Sequence, residues 1–208
     1  MARQMRMRSY QREQMNGKYL PHIEPFNRLV DDLRTVDEWM PYVAPIYGGR
    51  DALVLALFRD PGPATRDGVG SGMLCVENDD PSAERHCNFL RNAGIAASDL
   101  MVWNTYPWFI NRKPTSAEID RGLPVLRKIL ELCPNVEVVM AHGGDAQLAW
   151  RRLRRRIPNV AAGIETIETH HTSRQALWHK DSDVRTSRER KLAADFGHAA
   201  NVLGGAPH

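Results

Sequence analysis

The chain has 208 residues, 42% of them hydrophobic and 25% charged. That size and mixture are ordinary for one globular domain with a full core, and no apolar run is long enough to span a bilayer. The formal net charge is only +3, which is compatible with a polyanionic partner without requiring one.

Residues 1–20 are polar and lack periodicity. Arg3, Arg6, Arg8, Arg12 and Lys18 stand against Glu13 alone. This reads as a flexible basic arm ahead of a single α/β domain over 21–208. The segment has no apolar stretch of the kind a secretory signal needs, so a cytoplasmic location is expected. From His22 to Met40, Ile23, Phe26, Leu29, Val30 and Leu33 recur at helical spacing, and Pro41 stops the helix. Asp51 to Phe58 is a short apolar run of the kind that forms a buried parallel strand. The Gly- and Pro-rich stretch from Arg59 to Gly72 is a loop.

A short apolar stretch follows at Met73 to Val76. Asp80, Pro81 and Ser82 then start a helix that Gly94 stops. Leu100 to Asn104 is a second strand, and the loop after it carries Tyr106, Trp108 and Phe109. Thr115 and Ser116 cap a helix through about Leu132. Val136 to Met140 is a third strand that leads into Ala141-His142-Gly143-Gly144-Asp145. Ala146 to Ile157 is a helix ended by Pro158. Val160 to Thr169 is a fourth strand of mixed character. Thr186 to Leu203 is a final helix closed by Gly204 and Gly205. Strand and helix alternate four times, which predicts a three-layer α/β/α fold around a central four-stranded parallel sheet.

Three strands end on residues with chemistry: Asp60, Asn104 and His171. In open α/β sheets, ligands bind at the carboxyl ends of the strands. Asp60, before Pro61-Gly62, either orients a water or a cation, or serves as a turn residue accepting local backbone bonds. Asn104 either reads the edge of a planar heterocycle or ties down its loop. His170 and His171 alternate in direction, so one of them faces the site, where it can donate to a carbonyl gaining charge. The Ser173 hydroxyl beside it can bind a phosphate.

Cys75, Cys87 and Cys133 are too few and wrongly spaced for a disulfide framework, a zinc ribbon or a four-cysteine cluster. No histidine spacing suits a metal, so no metal and no cofactor are expected. Gly68, Gly70 and Gly72 fit neither a dinucleotide fingerprint nor a P-loop and read as a loop closing over a ligand. A second cluster of cations, Arg151, Arg152, Arg154, Arg155 and Arg156, is either a phosphate contact or a solvated face.

Taken together, Phe58 to Gly62 (FRDPG), Trp103 to Thr105 (WNT) and His171 to Arg174 (HTSR) resemble the motifs of the uracil-DNA glycosylase superfamily. Gly72 to Arg85 is similar to its DNA-pinching loop and helix. The likeness spans roughly residues 50–180. It implies that a uracil or other deaminated base is flipped from DNA and its N-glycosidic bond hydrolysed. Asp60 would then activate the water, His171 would meet charge on a uracil carbonyl, and Asn104 would read the base edge. Pro61 and Gly62 would line the base pocket. Ser82 and Ser173 would hold flanking phosphates. Arg174 and Gln175 lie where the superfamily inserts a wedge into DNA.

The chain departs from the pattern at several places. Phe58 and Arg59 replace glycine and glutamine. Gly62 stands where a tyrosine commonly guards against thymine. No aromatic stands near Leu74 and Cys75 to stack on the base, which leaves Phe58, Tyr106 and Trp108 as candidates. The expected partner is uracil-containing DNA, single- or double-stranded, bound by a monomer with no membrane contact. Two alternatives are a slow or non-catalytic binder of damaged or abasic DNA, and an enzyme acting on free nucleosides.

Overall fold

The computed structural model describes residues 2–205. In chain order it contains α1 (Arg8–Asn16), α2 (Glu24–Leu33), β1 (Tyr42–Val43), β2 (Val54–Phe58), β3 (Met73–Leu74), α3 (Pro81–Ala93) and β4 (Leu100–Asn104). There follow α4 (Ser116–Leu132), β5 (Val138–His142), α5 (Gly144–Arg156), β6 (Glu165–Thr169), α6 (Arg174–Leu177) and α7 (Ser182–Gly205). No helix is long and apolar enough to cross a membrane among the described residues.

The four longer strands form one parallel sheet in the order β4-β2-β5-β6. β4 and β5 are buried along their whole length, as is β2 up to Phe58. Continuous apolar runs are what a sheet covered on both faces requires. The edge strand β6 buries only Ile167 and Thr169, which explains its mixed sequence. Right-handed crossovers place α3 on one face and α4 and α5 on the other. Accordingly α3 packs on α7, and α4 on α5. Trp103, Trp150, Phe26 and Phe196 are fully buried among them.

The chain runs outward from β2 to β4, then crosses back over β2 to reach β5 and β6. Its direction therefore reverses between β2 and β5, the place where such sheets open a crevice at their carboxyl ends. The register lines up the chemistry there. Phe58 pairs with Asn104, and Leu57 with Ala141, so His142 is level with Phe58. His142 in turn pairs with Thr169.

Several boundaries differ from expectation. α2 ends at Leu33, and Arg34 turns the chain by donating from Nε to Met40 O at 2.7 Å. Leu53 O accepts from both Glu137 and Val138, so β5 starts two residues late and runs through His142. A 3-10 turn at Pro158–Ala161 delays β6 to Glu165. Gly204 and Gly205 lie within α7. β1 and β3 pair as a separate two-stranded parallel sheet.

The largest difference is at the N-terminus, where the expected flexible arm is helical and docked. Met5 is buried, its N–H donates to Glu77 O at 3.0 Å, and Gln4 N–H donates to the Glu77 carboxylate at 3.1 Å. Arg3 and Arg6 pair with Asp79, and Arg3 also with Glu84. Their partners lie about seventy positions away, out of reach of any local pattern.

Gly122 brings α4 against the end of β4, since a Cβ there would sit 1.8 Å from Thr105 O. Gly197 in α7 has nothing within 4 Å of such a Cβ. Gly122→Ala should therefore destabilise by about 2 kcal/mol or more, lowering the melting midpoint by roughly 4–8 °C. Gly197→Ala should stabilise by roughly 0.5–1 kcal/mol. Thermal unfolding of both variants checks the contrast.

Candidate active site

A cavity of about 640 Å³ opens at the carboxyl ends of the strands. Asp60, Pro61, Gly62, Cys75, Ser82, Asn104, His171, Ser173 and Gln175, all singled out from the sequence, line it. Asp60, Asn104 and His171 thus meet at one place although they lie on three different strand ends.

Asp60 follows β2, and its side chain is only 6% exposed. Burial pushes its pKa above the ordinary carboxylate value. An ion pair with Arg59 Nε works against that push, and the negative charge of Asp145 adds to it. The turn is held rigidly. Arg59 O accepts from Thr105 Oγ1 at 2.8 Å and from Tyr106 N–H at 3.0 Å, and Phe58 O accepts from Thr105 N–H at 2.8 Å. The loops after β2 and β4 are therefore one hydrogen-bonded unit.

His171 is buried enough that its pKa is pushed down to about 4, with the Arg59 charge adding to the effect and Asp80 opposing it. It is neutral at pH 7. Ser173 N–H donates to its Nδ1 at 2.9 Å, so the proton of the neutral ring sits on Nε2. Nε2–H is the donor that His171 brings to the cavity. Its loop is clamped to α3: Arg85 donates to Thr172 O at 2.7 Å, and Thr172 Oγ1 donates to Ser82 O at 3.1 Å. Ser173 Oγ accepts from Ala176 N–H as the cap of α6, which leaves its own O–H free to donate.

Asn104 is 3% exposed, and its Nδ2 is buried with no hydrogen-bond partner among the described residues. Two histidines that the sequence reading gave no role here share this state. His86 of α3 and His142 of β5 are buried with Nε2 unpartnered among the described residues. Burial, with a contribution from the neighbouring His171, lowers the His86 pKa to about 3. Burial also holds His142 well below its ordinary value. His142 Nδ1 lies 3.3 Å from His170 O. A neutral ring donates there through Nδ1–H and keeps Nε2 as a bare acceptor. His142 sits at a strand end, the same signal that marked Asn104, whereas His86 sits mid-helix at core spacing and gives no sequence signal.

Phe58 is enclosed by these imidazoles. Its ring stacks on His142, with centroids 4.5 Å apart and planes 5° from parallel, and meets His86 and His171 edge to face. Of the three stacking candidates, Phe58 alone lines the cavity. Trp108 is buried and donates from Nε1 to Leu33 O at 3.2 Å.

Tyr106, expected to bind substrate, does not reach the cavity. It is 4% exposed and packs on Trp108, over which Arg121 of α4 lies. The aromatic loop is thus drawn onto the helix behind it. Arg174 is exposed and also lies outside the cavity lining. Gly68, Gly70 and Gly72 do not line it either. Close approach of Gly70 to Ala64 O folds that loop onto itself. Cys75 is buried, and its thiol pKa is pushed up to about 12, so it contributes shape and no nucleophile. No group of three His, Cys, Asp or Glu side chains is placed to hold a metal among the described residues.

Compared with models of known protein families, residues 78–195 match the uracil DNA glycosylase superfamily. The match covers more than half of the chain and includes Asn104 and His171, while Asp60 precedes it. No curated protein matches the chain.

The neutral histidines make stability depend on pH. In the unfolded chain an imidazole takes up a proton below about pH 6.5, whereas in the fold His86 and His171 do so only near 3 and 4. Between those limits the unfolded state binds more protons, so stability is full above pH 6.5 and falls as the pH drops. The melting midpoint should decline steadily from pH 7 to pH 4, and His86→Met should flatten that slope. An unchanged slope in the variant would contradict the assignment.

Proposed function

The chain belongs to the uracil DNA glycosylase superfamily, and on that premise we propose that it hydrolyses the N-glycosidic bond of uracil, or another deaminated base, flipped out of DNA. The observation that carries this reading is a polar set lining the cavity, of which Asn104 Nδ2 and His142 Nε2 are buried without partners among the described residues. Asn104 Nδ2–H and His171 Nε2–H are donors and His142 Nε2 is an acceptor. Uracil presents two carbonyl oxygens and one ring N–H, the complementary set. Cytosine has one carbonyl and an amino group, and matches it less well. Buried groups left unpaired by the wrong base are what make such discrimination steep.

In this reading Asp60, as the carboxylate, accepts a proton from water while the water oxygen bonds to C1′ of the deoxyribose. The C1′–N bond breaks, and its electron pair leaves with the base. His171 Nε2–H donates to the base carbonyl on which that charge gathers, and it does so as a neutral imidazole because burial keeps its pKa low. Asn104 holds the opposite carbonyl. The Ser82 and Ser173 hydroxyls lie at the cavity wall, where flanking phosphates would pass. The products are an abasic site and the free base, which takes a proton from solvent.

One observation favours slower turnover, in the manner of a damaged-DNA or abasic-site binder. Arg59 occupies Asp60 Oδ1, one of the two oxygens that would orient water. Tight abasic-DNA binding with slow release of base would mark that variant of the reading.

Purified protein should release uracil from a uracil-containing oligonucleotide without added metal. Asp60→Asn and His171→Ala should each lower the single-turnover rate by roughly 10²–10⁴-fold. Full activity in both variants would remove the assignment.

The pH profile supplies an independent test. Asp60 must be ionised, so the rate should fall as the pH drops through its raised pKa. Arg59→Gln removes the partner that lowers that pKa, and the acid limb should move to higher pH.

A further inference from the structure

We propose that Trp178 is a DNA contact, stacking on the base exposed beside the flipped nucleotide. Trp178 is 58% exposed, the one aromatic among the exposed large hydrophobic side chains of the described residues. It directly follows α6, whose Gln175 and Ala176 line the cavity. A single exposed apolar side chain is ordinary, but this one sits on a backbone built to hold it. Its N–H donates to Arg174 O at 2.9 Å. The Arg188 guanidinium donates to Ala176 O at 3.1 Å and to Trp178 O at 2.8 Å. The indole is presented to solvent from a fixed point at the rim.

The charges around it point to a polyanion. In the basic cluster of α5, Arg151 pairs with Glu168, and Arg152 and Arg156 share Asp120. The N-terminal Arg3 and Arg6 are met by Asp79. Around Trp178 this is not so. Arg188 and Arg185 are held by backbone carbonyls, which leave the positive charge unneutralised. Arg174 and Lys180 are exposed and have no carboxylate partner among the described residues. An aromatic face beside cations held in no ion pair among the described residues is an arrangement that can stack on a base while phosphates pass alongside, although Asp181 and Asp183 lie in the same stretch. Extracting a nucleotide into the cavity bares the neighbouring base pair, and Trp178 directly follows the helix whose Gln175 and Ala176 line that cavity. The inference rests on the DNA reading of the cavity but not on turnover.

The test uses a duplex with an abasic-site analogue and a 2-aminopurine next to it. Binding is followed by anisotropy at several salt concentrations, and stacking by 2-aminopurine fluorescence. Wild-type protein should bind and quench the probe. Trp178→Ala should weaken binding by roughly tenfold and lose the quench, with an unchanged salt slope because no charge is removed. Trp178→Phe should keep most of both signals, and Arg174→Gln should lower the salt slope by about one while keeping the quench.

The proposal fails if the Trp178→Ala protein binds and quenches like wild type. It fails if wild type does not bind this DNA, or if the Phe variant behaves like the Ala variant. A dimer in sedimentation that Trp178→Ala converts to a monomer would identify the face as a self-association surface and also overturn it. Quenching that persists in a protein releasing no uracil would remove the hydrolase reading and leave the Trp178 contact standing.

Discussion

Burial of titratable groups at the carboxyl edge of the sheet is the constraint on which the rest of the structure depends. Three imidazoles and one carboxylate sit where water is largely excluded. Desolvation disfavours every charged form. His86, His142 and His171 are therefore neutral, and Asp60 is harder to ionise than an exposed aspartate. A neutral imidazole with one fixed proton is a directional donor, and a carboxylate raised toward neutrality is a better base than an ordinary one. The same burial sets the stability of the fold against the acidity of its surroundings, so the site and the pH tolerance of the protein have one physical origin.

Hydrogen bonds between loops hold that arrangement together with the sheet. Arg59 O and Phe58 O accept from the chain just after Asn104, which fixes Asp60 relative to the Asn104 amide. Arg85 and Thr172 fix the His171 loop to the start of α3. At the other wall, Asn78 donates to Met73 O at 2.9 Å and accepts from Ser71 Oγ at 2.6 Å. The first two sets join segments that follow different strands, and the Asn78 bonds tie the loop after β3 to the start of that strand. The sheet sets where the loops begin, and these bonds set where their functional atoms end.

The fold was legible because a parallel sheet covered on both faces leaves apolar runs of five residues, and Gly and Pro mark their ends. Asp60 and Asn104 were placed for the same reason, since each stands at the end of such a run, whereas His171 follows the mixed edge strand β6. Ser82 and Gln175 were picked out although they lie on helices, but His86 was not. His86 lies at a core position of α3, and only the fold shows its ring against Phe58. Tyr106 was misread because a loop aromatic next to a site residue has two directions to turn, and packing on α4 decides between them. The N-terminal helix was missed because Met5 and Gln4 are anchored by Glu77, and a single buried methionine leaves no period to detect.

Charge shows the same division. Counted along the sequence, the basic clusters at the N-terminus and in α5 are the most conspicuous cations, and within them Arg3, Arg6, Arg151, Arg152 and Arg156 pair with acids distant in the chain. The cations around Trp178 are spread over a longer stretch and interrupted by Asp181 and Asp183, so they form no visible cluster. Yet the hydrogen bonds of Arg185 and Arg188 go to carbonyl oxygens. A hydrogen bond to a dipole orients a guanidinium without cancelling its charge, whereas an ion pair does both. The charge a face presents thus depends on the partner type of each arginine as well as on the density of arginines along the chain.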